Sequence, residues 1–495
     1  MRVFESTRSD IKTDDVTAVL QGIAPDGGLF VDPGLSSLYV PVGGLTDMSS
    51  YEIAAKLLGT LLPGFDDPYR LVKKGYDGKF SCGEILTPVV PLNDKLSVLE
   101  LFHGPTSAFK DVALSLLPLL MSEAREKTDP DREIVILTAT SGDTGKAALE
   151  GFRDVPGIRI LVFYPEDGVS EIQKKQMTSQ LGDNVGVCAV KGNFDDCQTA
   201  VKDTFVRLQE DGSLKGISLS SANSINIGRL VPQVFYYYSA YVQLVAQKRI
   251  RSGDLIDFVV PTGNFGDILA GYYAKKLGLP IGKLVCASNA NNVLTDFFRT
   301  GTYDIRRPFF HTYSPSMDIL VSSNLERLLF HASHGDREFV ADCMQKLQTE
   351  KRYTVPDRVL NELQSDFSAY YSDEHETRRT IGKVYDEFVY LMDPHTAVGM
   401  AAADQYLNEI WPQRQTVILS TASPYKFTPV EMEVLGLTST GSPFDDMRSI
   451  MEKTGAAIPE RLLELENAQE RFSDSVTKDK VTEYVLDFIG KGKRQ

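Results

Sequence analysis

Residues Ile134 to Tyr164, IVILTATSGDTGKAALEGFRDVPGIRILVFY, decide how this chain folds. The apolar, β-branched run Ile134 to Leu137 reads as a strand, Gly145 to Arg153 as a helix and Ile158 to Tyr164 as a second strand. A strand, a helix and a strand joined by short polar loops form a βαβ unit, and the strands of such a unit run parallel. The same alternation continues along the chain. Val185 to Val190, Ile217 to Leu219, Ile256 to Val260, Leu284 to Ala287 and Thr416 to Leu419 read as strands. Ser170 to Ser179, Cys197 to Gln209, Arg229 to Ala246, Ile268 to Leu277 and Asn292 to Arg299 read as helices. The expected class is α/β, two αβ lobes with mostly parallel sheets. Ligands of such sheets gather at the carboxyl ends of the strands, which places Thr140 to Gly145, Gly263 to Gly266 and Ser420 to Ser423 around one cleft.

Outside this core the pattern changes. Residues 1 to 90 break the alternation, with turns at Gly27, Gly28, Gly43 and Gly44 and a helical stretch near Tyr51 to Leu62, and read as an added N-terminal lobe. Residues 91–430 read as the α/β core with a cleft between its two lobes, and 431–495 as a C-terminal helical region. Glu362 to Met392 reads as helical and highly charged, and Glu460 to Phe488 as mostly helical before the basic end KGKRQ.

With 495 residues the chain is too long for one compact core and long enough to bury a large site. A balance of 52 basic against 67 acidic residues, net −15, argues against nucleic acid or an anionic membrane as the main partner, so any phosphate must be met by a local site. No run approaches eighteen uninterrupted apolar residues, and the start MRVFESTRSDIKTDD lacks the apolar core of a signal peptide. The expectation is a soluble, cytoplasmic protein. Cys82, Cys188, Cys197, Cys286 and Cys343 are odd in number and widely spaced, so neither a disulfide framework nor a thiolate metal site is indicated. His331 and His334 share a helical spacing without a third ligand nearby, and no metal is expected.

Chemistry-bearing residues fall into a few segments. In Leu99 to Leu117, LELFHGPTSAFKDVALSLL, an apolar strand ends at His103, Gly104 and Pro105 and a helical pattern follows Lys110, so this lysine opens a helix beside Phe109. In Asp257 to Gly266, DFVVPTGNFG, a strand runs into a glycine loop and then a helix start. Such a place offers unpaired backbone N–H groups and the positive end of the helix dipole to a phosphate. Thr138 to Lys146, TATSGDTGK, suits a carboxylate through Ser141, Thr144 and backbone amides. It is not a nucleotide loop, because only Asp143 and Thr144 separate Gly142 from Gly145 and Ala147 follows Lys146. In Ala222 to Arg229, ANSINIGR, Arg229 offers a planar fork to a phosphate or carboxylate, or else caps a helix and joins a salt bridge. The run Phe235, Tyr236, Tyr237, Tyr238 reads as core packing. In Leu419 to Phe427, LSTASPYKF, Thr421 or Ser423 can reach a heterocyclic nitrogen. Asp393 to Gly399, DPHTAVG, reads as a helix start with His395 in its first turn and no catalytic role.

Taken in order, HGPTSAFKD, TSGDTG, NSIN, PTGNFGD, SPSMDILVSSNLER, DPHTAVG and STASPYKF, with the N-terminal STRS and GIAPDGGLFVDP, resemble threonine synthase in its longer bacterial and fungal form, over nearly the whole chain. One departure is Ser423, where relatives commonly carry a histidine. The resemblance implies the tryptophan-synthase β-like fold (fold type II) and pyridoxal 5'-phosphate as cofactor. It further implies conversion of O-phosphohomoserine and water to threonine and phosphate. A phospholyase or dehydratase ending in 2-oxobutyrate, or a non-catalytic binding protein on the same fold, are the alternatives. By the same likeness Lys110 is the Schiff-base lysine. Gly263, Asn264, Phe265, Gly266 and Asp267 form the cofactor's phosphate cup, and Thr421 is the partner of its ring nitrogen. Thr140, Ser141, Asp143 and Thr144 grip the substrate carboxylate and the ring edge, and Asn226 and Arg229 face the substrate phosphate. The chain is expected to act as a monomer or homodimer on a small molecule.

Overall fold

The computed structural model describes residues 2–166, 168–210, 214 and 216–492, so the last three residues of the basic end lie outside it. Two parallel sheets form its centre. The larger has the spatial order Phe367–Tyr371, Ile281–Ser288, Ile256–Pro261, Thr416–Ser420, Leu96–Glu100 and Val89–Pro91, with Val89–Pro91 alone antiparallel to its neighbour. The smaller is parallel throughout, in the order Ser475–Thr477, Val185–Lys191, Ile158–Pro165, Glu133–Ala139 and Ile217–Ser220. Every residue of Ile158–Pro165, Ile256–Pro261 and Thr416–Ser420 is buried. Helices cover both faces of such sheets, which is why these strands read as unbroken apolar runs rather than as alternating patterns.

All seven expected strands and all six expected helices are present, with shifts at their ends. One helix is interrupted. Arg229 to Ala246 divides into Ile227–Leu230, a 3₁₀ turn Val231–Gln233 and Val234–Ala246, because Pro232 cannot donate a backbone hydrogen bond. Two strands sit where helix was expected. Glu362 to Met392 holds the end of the helix Asp357–Asp366, the edge strand Phe367–Tyr371 and the helix Glu374–Phe388. The C-terminal region contributes Ser475–Thr477, which pairs with Val185–Lys191 and extends the smaller sheet.

The N-terminal region forms an antiparallel sheet, Lys12–Asp14, Val3–Ser6 and Phe30–Val31. It docks on the core through Arg8 and Thr7, both hydrogen-bonded to the buried Glu326. Among the described residues no helix is long and apolar enough to cross a membrane, and no cluster of His, Cys, Asp or Glu is arranged to hold a metal.

Candidate active site

Three neighbouring strands of the larger sheet deliver three pieces of one site at their carboxyl ends. Leu96–Glu100 leads to Lys110, Thr416–Ser420 to Thr421, and Ile256–Pro261 to the glycine loop. After Glu100 the chain loops out and returns. Leu101 N–H donates to Ser420 O at 2.9 Å, Phe109 N–H to Thr421 O at 2.8 Å and Ser423 N–H to Ser107 O at 3.1 Å. The loop is pinned by Asp111, which accepts from Thr106 N–H at 2.8 Å and Thr106 Oγ1 at 2.7 Å. Gly104 packs against that carboxylate so closely that a Cβ there would lie 2.5 Å from Asp111 Cβ.

Lys110 opens the helix Lys110–Leu114 and is buried. Its Nζ donates to Ser316 Oγ at 3.2 Å, lies 3.9 Å from Asp143 Oδ2 and stands 5.5 Å above the Phe109 ring. Burial, helped by the positive charges of Lys426 and Arg229 and opposed by Asp143, lowers the ammonium pKa to about 8. A lysine in that range is a usable base near neutral pH.

The glycine loop has the makings of a phosphate cup. No acceptor among the described residues takes the backbone N–H groups of Gly263, Asn264, Phe265, Gly266 or Asp267. The carbonyls are occupied instead. Gly263 O accepts from Ser322 Oγ at 2.8 Å, and Asn264 O from Asn324 N–H and Nδ2 at 3.1 Å. Phe265 sits at φ 63°, a left-handed conformation costly for a side chain this large, immediately before the helix Gly266–Lys276. Gly263 is required by the protein itself, since a Cβ would come within 2.5 Å of Ser316 O, whereas a Cβ at Gly266 would make only ordinary contacts, 3.6 Å from Asn324 Nδ2 and Ser224 Cβ.

The Asp267 carboxylate does not share in the cup. It is buried and accepts from Tyr236 OH at 2.5 Å and Tyr237 OH at 3.1 Å, leaving Oδ2 without a partner. Burial raises its pKa to about 7, although both hydroxyls oppose the shift. With the folded-state value raised, stability is full below the ordinary carboxylate range and falls as pH climbs from about 4 to about 7. Asp267→Asn removes this slope, so in urea unfolding the variant's advantage over the parent widens across that window and is constant above it. Parallel profiles would contradict the burial argument.

From the smaller sheet, Glu133–Ala139 leads into the TSGDTG loop and the helix Asp143–Phe152. Two expectations change here. Thr140 Oγ1 is consumed within its own turn, accepting from Gly142 N–H at 3.0 Å and Gly145 N–H at 2.8 Å. Asp143 cannot grip a carboxylate. Its own carboxylate is buried against Lys426 Nζ and Gln173 Nε2, and these with Lys110 outweigh burial and hold its pKa well below the usual range. The loop keeps the Ser141 and Thr144 hydroxyls and the N–H groups of Ser141, Asp143 and Thr144, none of which has a partner among the described residues. These suit a carboxylate.

Ile217–Ser220, next to Glu133–Ala139, leads to Asn226 and Arg229. Asn226 does not face the cleft: its Oδ1 caps the helix through Gly228 N–H at 2.8 Å, its Nδ2 donates to Val19 O at 2.9 Å, and it is fully buried. Arg229 does remain available. Its guanidinium is buried and makes one hydrogen bond, Nη1 to Ala222 O at 2.9 Å, while Nε has none. Desolvation lowers its pKa to about 10, and no carboxylate among the described residues pairs with it. An unpaired buried guanidinium is costly unless an anion completes it.

Sequence reasoning passed over Lys426 and Ser316. Lys426 is fully buried in the STASPYKF segment and neutralises Asp143; its signal was a lysine amid otherwise small or apolar residues. Ser316 belongs to SPSMDIL, where one serine among several gives no sign of contact with Lys110.

A lysine opening a helix beside a glycine loop, on parallel strands, defines the class of the protein. Residues 83–422 match the model of the pyridoxal-phosphate dependent enzyme family, and residues 396–485 that of the threonine synthase C-terminal domain. The chain is 39% identical to human threonine synthase-like 1 over 477 residues, covering 93% of this chain but 63% of that protein, so it spans under two thirds of that relative's length. It is 39% identical to the threonine synthase of Pseudomonas aeruginosa, covering 85% of this chain and 87% of that one. The crystal structure of pyridoxal-phosphate-bound threonine synthase from Brucella melitensis superposes with a TM-score of 0.85 at 36% identity, covering 99% of both chains. The chain belongs to the threonine synthase family of pyridoxal-phosphate-dependent proteins.

The residues present fit that cofactor. Lys110 supplies an amine with a lowered pKa, the N–H groups of 263–267 a cradle without acceptors among the described residues, and the Thr421 hydroxyl, free of partners among the described residues, a contact for a ring nitrogen.

Proposed function

We propose that the chain converts O-phospho-L-homoserine and water to L-threonine and phosphate, with pyridoxal phosphate on Lys110, as a monomer or homodimer in the cytoplasm. The observation that carries this reading is Arg229, a buried guanidinium with an unpartnered Nε whose charge reaches Lys110. Around it three cations gather. Lys110 and Lys426 face Asp143, the Arg229 charge reaches Lys110, and burial raises Asp267 to about 7, so that this carboxyl is only partly ionised near neutral pH. Such a site favours a substrate bearing a carboxylate and a nearly dianionic phosphate.

When bound, the cofactor withdraws electrons from the substrate carbon bearing the amino group, which makes its proton acidic. The protein moves protons and holds charge. Lys110 Nζ takes the proton from the α-carbon, gives it up to the conjugated system of the bound substrate and, neutral again, takes one from the β-carbon, its lowered pKa matching both tasks. The free N–H groups and hydroxyls of the Ser141–Thr144 turn orient the substrate carboxylate. Arg229 stabilises the phosphate as it departs, in a desolvated place where its charge acts most strongly. Water must then reach the β-carbon, and the cleft must keep other water out.

The test is product analysis after incubation of the cofactor-loaded protein with O-phospho-L-homoserine. Threonine and phosphate in equal amounts are expected. 2-Oxobutyrate with ammonia as the main products would identify a phospholyase, and no phosphate release a binding protein.

A further inference from the structure

The contact between Lys110 and Ser316 is held from behind by a buried histidine to which the sequence assigns no task. Ser316 N–H donates to His395 Nε2 at 3.1 Å, and His395 Nδ1 lies 2.7 Å from Asp393 Oδ1. An acceptor at Nε2 requires the proton on Nδ1, where Asp393 receives it, so the pair selects one tautomer. Asp393 is itself fixed, accepting from His395 N–H at 2.9 Å and from the Thr396 hydroxyl. The His395 ring is buried and packs edgewise against the Phe427 ring, their centroids 5.1 Å apart.

This arrangement answers a local need. Ser316 lies in the 3₁₀ turn Pro315–Met317, and the first N–H groups of a helical turn have no acceptor within it. Without His395 the Ser316 N–H would be an orphan and this end of the turn would lose its anchor. The far end of the turn is tied down separately. Asp318 accepts from Asn289 Nδ2 at 2.8 Å, Asn291 Nδ2 at 3.1 Å and Thr312 Oγ1 at 2.7 Å. The same serine presses its carbonyl on Gly263, so one residue sets the distance from Lys110 to the glycine loop.

Resting on the reading of Lys110 as the base, we propose that Ser316 is a catalytic residue whose hydroxyl holds the Lys110 amine in line with the substrate carbons, and that His395 and Asp393 are positioning residues that act through it. When Lys110 Nζ gains a proton it becomes an ammonium with three N–H donors. One is accepted by Ser316 Oγ while Asp143 faces the charge, and the proton is later returned from the same nitrogen. Ser316 keeps its own proton throughout. His395 touches neither substrate nor Lys110.

The experiment compares Ser316→Ala, His395→Leu, His395→Gln and the double variant Ser316→Ala/His395→Leu. Ser316→Ala removes one oxygen from a partly exposed side chain and leaves the fold intact. In the loaded protein Ser316→Ala and His395→Leu are expected to lower kcat by about 10- to 100-fold with KM changed less than about twofold, since a misplaced base slows proton transfer without weakening binding. His395→Gln places an amide oxygen near the position of Nε2 and is expected to restore most of kcat. The double variant is expected to be no slower than Ser316→Ala alone, because both changes break one contact. A readout without substrate separates this proposal from the choice of substrate: the rate of Lys110 carbamylation by cyanate in cofactor-free protein, followed by peptide mass spectrometry. Ser316→Ala and His395→Leu are expected to change that rate by the same factor. Additive losses in the double variant, or a His395→Leu protein whose Lys110 labels at the parent rate, would overturn the proposal.

Discussion

Lys110→Ala is expected to lower turnover by at least about a thousandfold while leaving the fold in place, because on the proposed reading one side chain carries both the attachment point and the proton transfers. Loss of the amine costs little stability. It is a buried group whose charged form is already disfavoured, and Asp143 keeps Lys426 and Gln173 when it is gone. The thermal midpoint of the variant therefore stays near that of the parent, and lost activity reports chemistry rather than unfolding. Steady-state rates with O-phospho-L-homoserine, beside a melting curve, check both halves. A variant retaining a tenth of parental activity would remove Lys110 from the centre of the account.

Arg229→Gln is expected to separate function from stability in the opposite direction. Among the described residues the buried guanidinium has one hydrogen bond and no counter-charge, so it strains the fold until an anion arrives. Removing it is expected to reduce kcat/KM by about 100- to 1,000-fold, the scale for deleting a donor that meets developing charge. Urea resistance of the variant is expected to equal or exceed that of the parent. Arg229→Lys does not rescue, because an ammonium lacks the planar fork. A variant that is both active and less stable would show that Arg229 is structural.

The parts of the molecule legible in the sequence are those decided by neighbouring residues. Ile158–Pro165 and Ile256–Pro261 are buried on both faces, so their apolar runs announce them. Phe367–Tyr371 was hidden because it is short and lies between charged helices whose pattern runs up to it on both sides. Ser475–Thr477 has no buried residue and is a strand only because the edge of the smaller sheet is there to pair with it. The strand-to-helix turn at Lys110 was legible for the same local reason.

Partnerships across the chain were not legible. Asp143 reads as a cleft residue beside Ser141 and Thr144, yet its role is set by Lys426, 283 positions away. Asn226 reads as a polar group at a helix start, and the structure spends both ends of its amide on a cap and on Val19 O. Ser316 meets Lys110 across 206 positions. In each case the residue type was visible and the direction it faces was a product of tertiary packing.

The central claim is that residue 110 carries the cofactor covalently. Borohydride reduction of the loaded protein, followed by proteolysis and mass spectrometry, tests it directly, with a phosphopyridoxyl group expected on the peptide containing Lys110. The same group on another lysine, Lys426 included, or on none, would contradict the account.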